Sequence, residues 1–463
     1  MSKHTFPADF VFGVATSSYQ IEGAVDVGGR GPSIWDTFCA TPGKVKGGDD
    51  GSVACDHYNR WPEDIAMMQS LGVKAYRFSI AWPRIFPTGF EETPNAEGLA
   101  FYERLVDGLL AAGITPWVTL YHWDLPQGLQ DRGGWAWRGT VDAFAKFAAA
   151  IGRSLGRKVS HFITHNEPWC VAMLGHMNGE HAPGHTDWPE ALVAAHHVLL
   201  SHGVAVPILR AASPGAKVGI TVNLCPGYPA SDSPTDIDAT RHFDGFFNRW
   251  YLEPLTGRGY PADMVADYRT LGRLPPSALP DGEGLPFVQP GDLAAIAAPI
   301  DFLGVNYYSR GIIRSDTVAE ADNAPRTIAE PPVTSKTDIG WEVYPDGLET
   351  LLLRLSRDYP GLPIAVTENG ASYFTEPDAD NVVRDTARLE YFRGHLAACA
   401  LAIDAGVPLF AYFAWSLMDN FEWAYGYEQR FGLVWVDFAT QQRIPKDSAR
   451  FYAEVMRTGV VEG

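Results

Sequence analysis

The run Pro363-Ile364-Ala365-Val366-Thr367-Glu368-Asn369-Gly370 is apolar until it meets an acid and an Asn-Gly turn. It reads as a short buried strand that delivers one glutamate at its end. His161-Phe162-Ile163-Thr164-His165-Asn166-Glu167-Pro168 repeats the plan, with Glu167 where the strand stops. The two acids are far apart in the chain, so only a fold that gathers strand ends brings them together. Two carboxylates facing one cleft are what cleavage of a glycosidic bond requires. One gives a proton to the leaving oxygen, and the other attacks or stabilises the sugar cation.

Working outward, strand-like runs fall at 10–15, 75–80, 115–121, 161–165, 217–223, 302–307, 363–367 and 409–415. Most are apolar on both faces, as parallel strands covered on both sides are. Amphipathic helices separate them. Ile65, Met68 and Leu71 share a face, with Pro62 expected at the first helical position. Phe101, Leu105 and Leu109 repeat every four residues, and Leu348, Leu351, Leu352 and Leu355 follow the i, i+3, i+4, i+7 spacing. Eight strands alternating with helices predict an α/β protein with a single (β/α)₈ TIM barrel, whose active site lies at the C-terminal strand ends. A doubly wound open sheet is the competing layout. It is disfavoured because no Gly-x-Gly-x-x-Gly turn follows an early strand. Segments 274–292 and 315–340 read as long loops over the C-terminal face rather than linkers, so residues 1–463 are expected to form one domain.

The bulk composition narrows the function. With 46% hydrophobic and 20% charged residues the chain can build a core without a metal or disulfide staple. A formal charge of −19 would repel a phosphate backbone, so nucleic acid is not an expected partner. Five scattered cysteines with no Cys-x-x-Cys pair argue against a disulfide framework or structural zinc. They fit a reducing, cytoplasmic setting. No signal-peptide pattern or membrane span is expected. The sequence leaves an oligomer open.

Each candidate residue has a bland reading beside the chemical one. Glu167 alone would be a solvated loop acid, but Asn166 adds an amide and Pro168 is expected to keep residue 167 extended. Glu368 alone would be a turn acid. Arg77, ending the run Tyr76-Arg77-Phe78, places a cation that would keep it ionised. His122 has no partner at metal-ligand spacing, so it is assigned to sugar hydroxyls. Gln20, just past the first strand, is assigned likewise. In Trp415-Ser416-Leu417-Met418-Asp419-Asn420-Phe421-Glu422-Trp423, two tryptophans frame an acid. They read either as core plus a rim charge or as a sugar platform with Glu422 accepting two hydroxyls.

Together these stretches resemble glycoside hydrolase family 1, and within it the bacterial β-glucosidases. The resemblance runs from Phe10-Val11-Phe12-Gly13 to Arg430-Phe431-Gly432-Leu433-Val434-Trp435-Val436-Asp437. It implies a retaining mechanism without a cofactor or metal. The nucleophile would be Glu368 and the acid/base Glu167. Gln20, His122, Asn166, Glu422 and Trp423 would form the pocket for the terminal β-glucosyl unit, over Trp415. β-Galactosyl and β-fucosyl units are further candidates. Tyr308 resembles the tyrosine that bonds the nucleophile, Arg77 its cationic neighbour, and Trp341 the platform for the leaving group. Asn306 supports the same site, and His181 lines the entrance. Two alternatives remain: a 6-phospho-β-glycosidase and a non-catalytic sugar binder. In the phospho-sugar branch a serine, lysine and tyrosine hold the phosphate. Glu422, Gln429 and Phe431 stand at those places here, and a carboxylate repels phosphate. His165 stands where many relatives carry phenylalanine.

Overall fold

The computed structural model describes residues 3–274, 284–315, 327–329 and 335–462. Eight parallel strands close into a barrel: β1 (Val11–Ala15), β2 (Ala75–Ser79), β3 (Thr115–Tyr121), β4 (His161–Asn166), β5 (Lys217–Asn223), β6 (Phe302–Asn306), β7 (Ile364–Asn369) and β8 (Leu409–Trp415). Each strand pairs with its neighbours in chain order, and β8 returns to β1. All eight expected strands are present, with three of them at the expected bounds.

Two side-chain layers fill the barrel. Ala15, Ala75, Trp117, Ile163, Phe302, Ala365, Ala411 and Phe413 form an apolar plug. Two residues further along β2, β3 and β7, the same strand face carries Arg77, Thr119 and Thr367, because side chains alternate across a strand. Gly304 makes room in this polar layer: a Cβ there would lie 2.2 Å from Thr221 Oγ1. The β4–β5 pairing slips between Ile163 and Asn166, and the β6–β7 pairing slips between Val366 and Glu368. Such irregularities re-aim side chains, and both occur immediately before the two acids.

The outer helices bury the stripes read from the sequence. Leu348, Leu351, Leu352 and Leu355 are buried on Pro345–Asp358, and Phe101, Leu105 and Leu109 on Ala96–Ala111. One expectation fails here. The helix carrying Ile65 and Met68 runs His57–Ser70, so Pro62 lies inside it rather than at its first position. The proline forfeits one backbone bond to the preceding turn. The packing of Ile65 and Met68, and the buried His57 Nδ1–Asp64 contact of 2.7 Å, hold the earlier turn in place.

Trp188–Ala212 is long and apolar enough to cross a membrane by length and composition, which the sequence reading did not anticipate. Its apolar window is 78% buried inside the fold. Beyond the barrel, Gly227–Pro229, Gly311–Arg314 and Thr327–Ala329 form a small sheet on the loops after β5 and β6. Parts of the two long loops, 275–283, 316–326 and 330–334, lie outside the described residues.

Candidate active site

A cavity of about 470 Å³ opens at the C-terminal ends of the strands. Of the residues singled out in the sequence, Glu167, Glu368, His122, Asn306, Tyr308, Trp341, Trp415, Glu422, Trp423 and His181 line it. Gln20, Asn166 and Arg77 do not. They are buried and hydrogen-bonded to lining residues from behind.

Glu368 ends β7. Its Oε1 accepts from Arg77 Nη1 at 2.6 Å, and its Oε2 accepts from the Tyr308 hydroxyl at 2.7 Å. Arg77 is fixed by Thr119 Oγ1 at 3.2 Å, the Thr367 carbonyl at 2.9 Å and Asn166 Oδ1 at 2.6 Å. Burial raises the Glu368 carboxyl, and Arg77 and Tyr308 oppose that rise. The net direction is upward, but of Glu167, Glu368 and Glu422 only Glu368 has a guanidinium on its carboxylate.

Glu167 is placed differently. Its Oε1 accepts from Asn306 Nδ2 at 2.7 Å, and its Oε2 takes only the weak Cys170 thiol donor at 3.3 Å. Among the described residues no ion pair to it is formed. Burial and the nearby Glu368 charge push its carboxyl up to about 8. The expectation of an extended residue 167 is overturned, because its φ is +52°. The Glu167 N–H donates to the Thr221 carbonyl at 2.9 Å, while its own carbonyl accepts from Val171 at 3.3 Å. The chain thus leaves β4 and enters a helical turn at one residue. The left-handed backbone is the cost of that switch, and such strain concentrates at functional sites.

Asn166 fixes the state of His122. Its Oδ1 accepts from Arg77 and from Asn306 (3.1 Å), so its amide nitrogen must donate to His122 Nε2 at 3.2 Å. The His122 proton then sits on Nδ1, a buried atom with no protein partner. Burial and Arg77 hold the ring neutral, so Nδ1–H is a fixed donor for a hydroxyl. Trp123 Nε1 donates to the Asn166 carbonyl at 2.9 Å and locks the same strand end.

On the opposite wall Gln20 Nε2 reaches the Phe421 carbonyl at 2.8 Å, Asn420 Oδ1 at 3.0 Å and Glu422 Oε2 at 3.3 Å. Gln20 therefore orients Glu422, and its own Oε1 is taken by Ser17 at 2.6 Å. Burial and the charges of Glu368 and Glu167 push Glu422 up to about 8. Trp415 and Trp423 lie nearly parallel to His122, with centroids 5.7 and 6.0 Å away. His181 packs 5.2 Å from Trp123, and burial holds it neutral, down to about 3. Trp341, 38% exposed, stands at the mouth 5.2 Å from Tyr308.

Some contributors were not foreseen. Cys170 touches Glu167, and Asn223 at the end of β5 donates to the Cys170 sulfur at 3.6 Å. The position of Asn223 at a strand end was the available signal. Phe431 lines the cavity, whereas Gln429 accepts from Ser372 at 2.6 Å and is not a lining residue. Arg310 and Glu342 pair at the mouth at 2.8 Å, beneath Tyr344. His165 points away from the cavity, against Phe144, with Nε2 on Ser201 at 2.8 Å.

Residues 2–460 match the family model for glycosyl hydrolase family 1. The chain is 46% identical to beta-glucosidase A of Acetivibrio thermocellus over 99% of both chains. It is 44% identical to a bifunctional beta-D-glucosidase/beta-D-fucosidase of Bifidobacterium breve, over 96% of this chain and 97% of that one. The solved family 1 b-glucosidase of Thermotoga maritima superposes with a TM-score of 0.93 at 43% identity, covering all of both chains.

Proposed function

The chain belongs to glycosyl hydrolase family 1, and on that premise we propose that it is a retaining β-glucosidase. It removes terminal non-reducing β-D-glucosyl residues from β-glucosides and short oligosaccharides through a covalent glycosyl-enzyme. β-Fucosides and β-galactosides are secondary substrates; the relationship to a bifunctional enzyme supports the former. All 463 residues act as one glycosidase unit.

The observation that carries the mechanism is the unequal solvation of the two glutamates. Glu368 has a guanidinium and a phenol on its two oxygens, so it is the nucleophile that attacks the anomeric carbon. Glu167 lacks a cation and keeps its proton to about pH 8, so it protonates the glycosidic oxygen. Once the aglycone leaves, Glu167 is the base that deprotonates the incoming water. Retention requires the carboxyls to be about 5–5.5 Å apart. Glu368 and Glu167 belong to one hydrogen-bond network through Arg77, Asn166 and Asn306, at 2.6, 2.6, 3.1 and 2.7 Å.

Glu422 and the Nδ1–H of His122 fix the hydroxyls of the sugar in the inner subsite. Trp415 is its stacking floor and Trp341 faces the aglycone. Glu167, Glu368 and Glu422, grouped at the inner end of the cavity, disfavour a phosphorylated sugar there. Five free cysteines, four of them buried, support a reducing compartment, and we assign the enzyme to the cytoplasm, trimming short products of polysaccharide breakdown.

Proton NMR of nitrophenyl β-glucoside hydrolysis tests the assignment. The first-formed glucose is expected as the β-anomer. The α-anomer would overturn retention, and no turnover would favour a sugar-binding protein. Faster cleavage of the 6-phosphate analogue would favour the phospho-glycosidase alternative.

A further inference from the structure

Beside the cavity wall, outside the residues used above, three potential ligands converge. His176 lies in the last turn of the π-helical segment Cys170–Met177, His185 in the loop beyond it, and Glu190 in the first turn of Trp188–Ala212. One donor atom from each lies within 4.8 Å of the others. We propose that His176, His185 and Glu190 form a binding site for a divalent transition metal of the zinc class.

The first support is the state of His176. The ring is buried, and its Nδ1–H donates to the Val171 carbonyl at 2.9 Å. Its Nε2 is buried without a protein partner. A lone pair aimed inward on a ring oriented by a backbone carbonyl is the arrangement that metal-binding histidines adopt. Leaving it without a partner is costly otherwise.

The second support is the rigidity of the frame. The His185 N–H donates to the Gly175 carbonyl at 3.0 Å and the Asp187 N–H to the His176 carbonyl at 2.7 Å. Asp187 caps the long helix through the Glu190 N–H at 2.7 Å. The three ligands therefore sit on segments already stitched together. Around a tetrahedral zinc with bonds of about 2.0–2.2 Å, ligand atoms stand roughly 3.3–3.6 Å apart. His185 Nδ1 and Glu190 Oε1 now lie 2.7 Å apart, and a bound metal would take the place of that contact.

The third support is access. The His185 side chain is 42% exposed and that of Glu190 26%, so an ion has a route in and water can complete the fourth position. Two imidazoles and one carboxylate suit zinc or cobalt rather than magnesium or calcium. A bound ion would cross-link the segment that follows Glu167 and supplies Leu174, Glu180 and His181 to the cavity wall.

The test uses the full chain, stripped with a chelator and dialysed against Zn²⁺ or Co²⁺. One equivalent of Zn²⁺ is expected, with an upward shift in melting temperature. His176→Gln and Glu190→Gln are each expected to weaken binding at least ~10-fold. Co²⁺ should show visible ligand-field bands without a sulfur charge-transfer band. Glu190→Gln decides the matter alone if His176→Gln fails to fold, since Glu190 is a partly exposed first-turn residue. No saturable binding to the folded wild type would overturn the proposal. So would unchanged affinity in the folded variants, or a sulfur band placing the ion on a cysteine.

Discussion

Two clusters of buried charge lie within the same barrel and serve opposite ends. In one, Glu22 meets Arg84 through Nε at 3.2 Å and Nη2 at 3.1 Å, and its other oxygen accepts from Tyr102 at 2.6 Å. Arg84 also lies 4.4 Å over the Tyr58 ring. One anion faces one cation, and each carboxylate oxygen has a donor. In the other, Glu167, Glu368 and Glu422 share the cavity, and Arg77 is bonded to Glu368 alone among them. The balanced cluster holds the fold together. The unbalanced one cannot ionise fully, so it stores protons where chemistry can use them. The acids of both clusters are buried, and what differs is the number of compensating charges.

The comparison can be broken from either side. Glu368→Gln should lower turnover by ~10⁴-fold or more while leaving the fold intact. In Glu368→Ala, azide should restore part of the rate and give the inverted glycosyl azide. Unimpaired turnover in either variant would remove Glu368 from the mechanism. Glu167→Ala should cost ~10²–10⁴-fold on alkyl glycosides and much less on activated aryl glycosides. Equal losses on both substrate types would deny it the role of acid. Arg84→Met should destabilise the protein by about 3–5 kcal/mol, because Glu22 is left buried without its cation. Its kcat per folded molecule should match wild type. Denaturant unfolding alongside active-site titration separates the two effects.

Proton affinity supplies the smallest and finest test. Glu167 must be protonated to donate, so the basic limb of kcat/KM should fall as pH rises through about 8. Glu422→Gln removes a like charge, so it should move that limb to lower pH. A stationary limb would show that the two acids do not interact. Stability follows the same sign. Glu167 and Glu422 hold protons more tightly folded than unfolded, so stability is lost as pH rises from 4.5 to about 8. Glu422→Gln should soften that loss in thermal melts.

Much of this was written in short stretches of chain. Strands buried on both faces made the eight apolar runs visible, and the acid at a strand end made Glu167 and Glu368 visible. What stayed hidden depended on through-space partners. Arg77 was legible from its place in a strand run, but the partner that sets Arg84 apart, the buried Glu22, lies 62 positions away and leaves no local mark. The left-handed turn at Glu167 contradicts the ordinary preference before proline, because the Thr221 and Val171 bonds outweigh it. Pro62 was misplaced for a similar reason: tertiary packing extended its helix backwards. Gln20 belonged to the site, but behind Glu422 rather than facing the cavity, and no sequence pattern separates those positions.

Trapping with a 2-deoxy-2-fluoro-β-glucoside bearing a good leaving group, followed by peptide mass spectrometry, tests the division of labour between the two glutamates most directly. A stable glycosyl adduct on Glu368, absent in Glu368→Gln, is the predicted result. An adduct on Glu167, or inactivation without any covalent sugar, would contradict it.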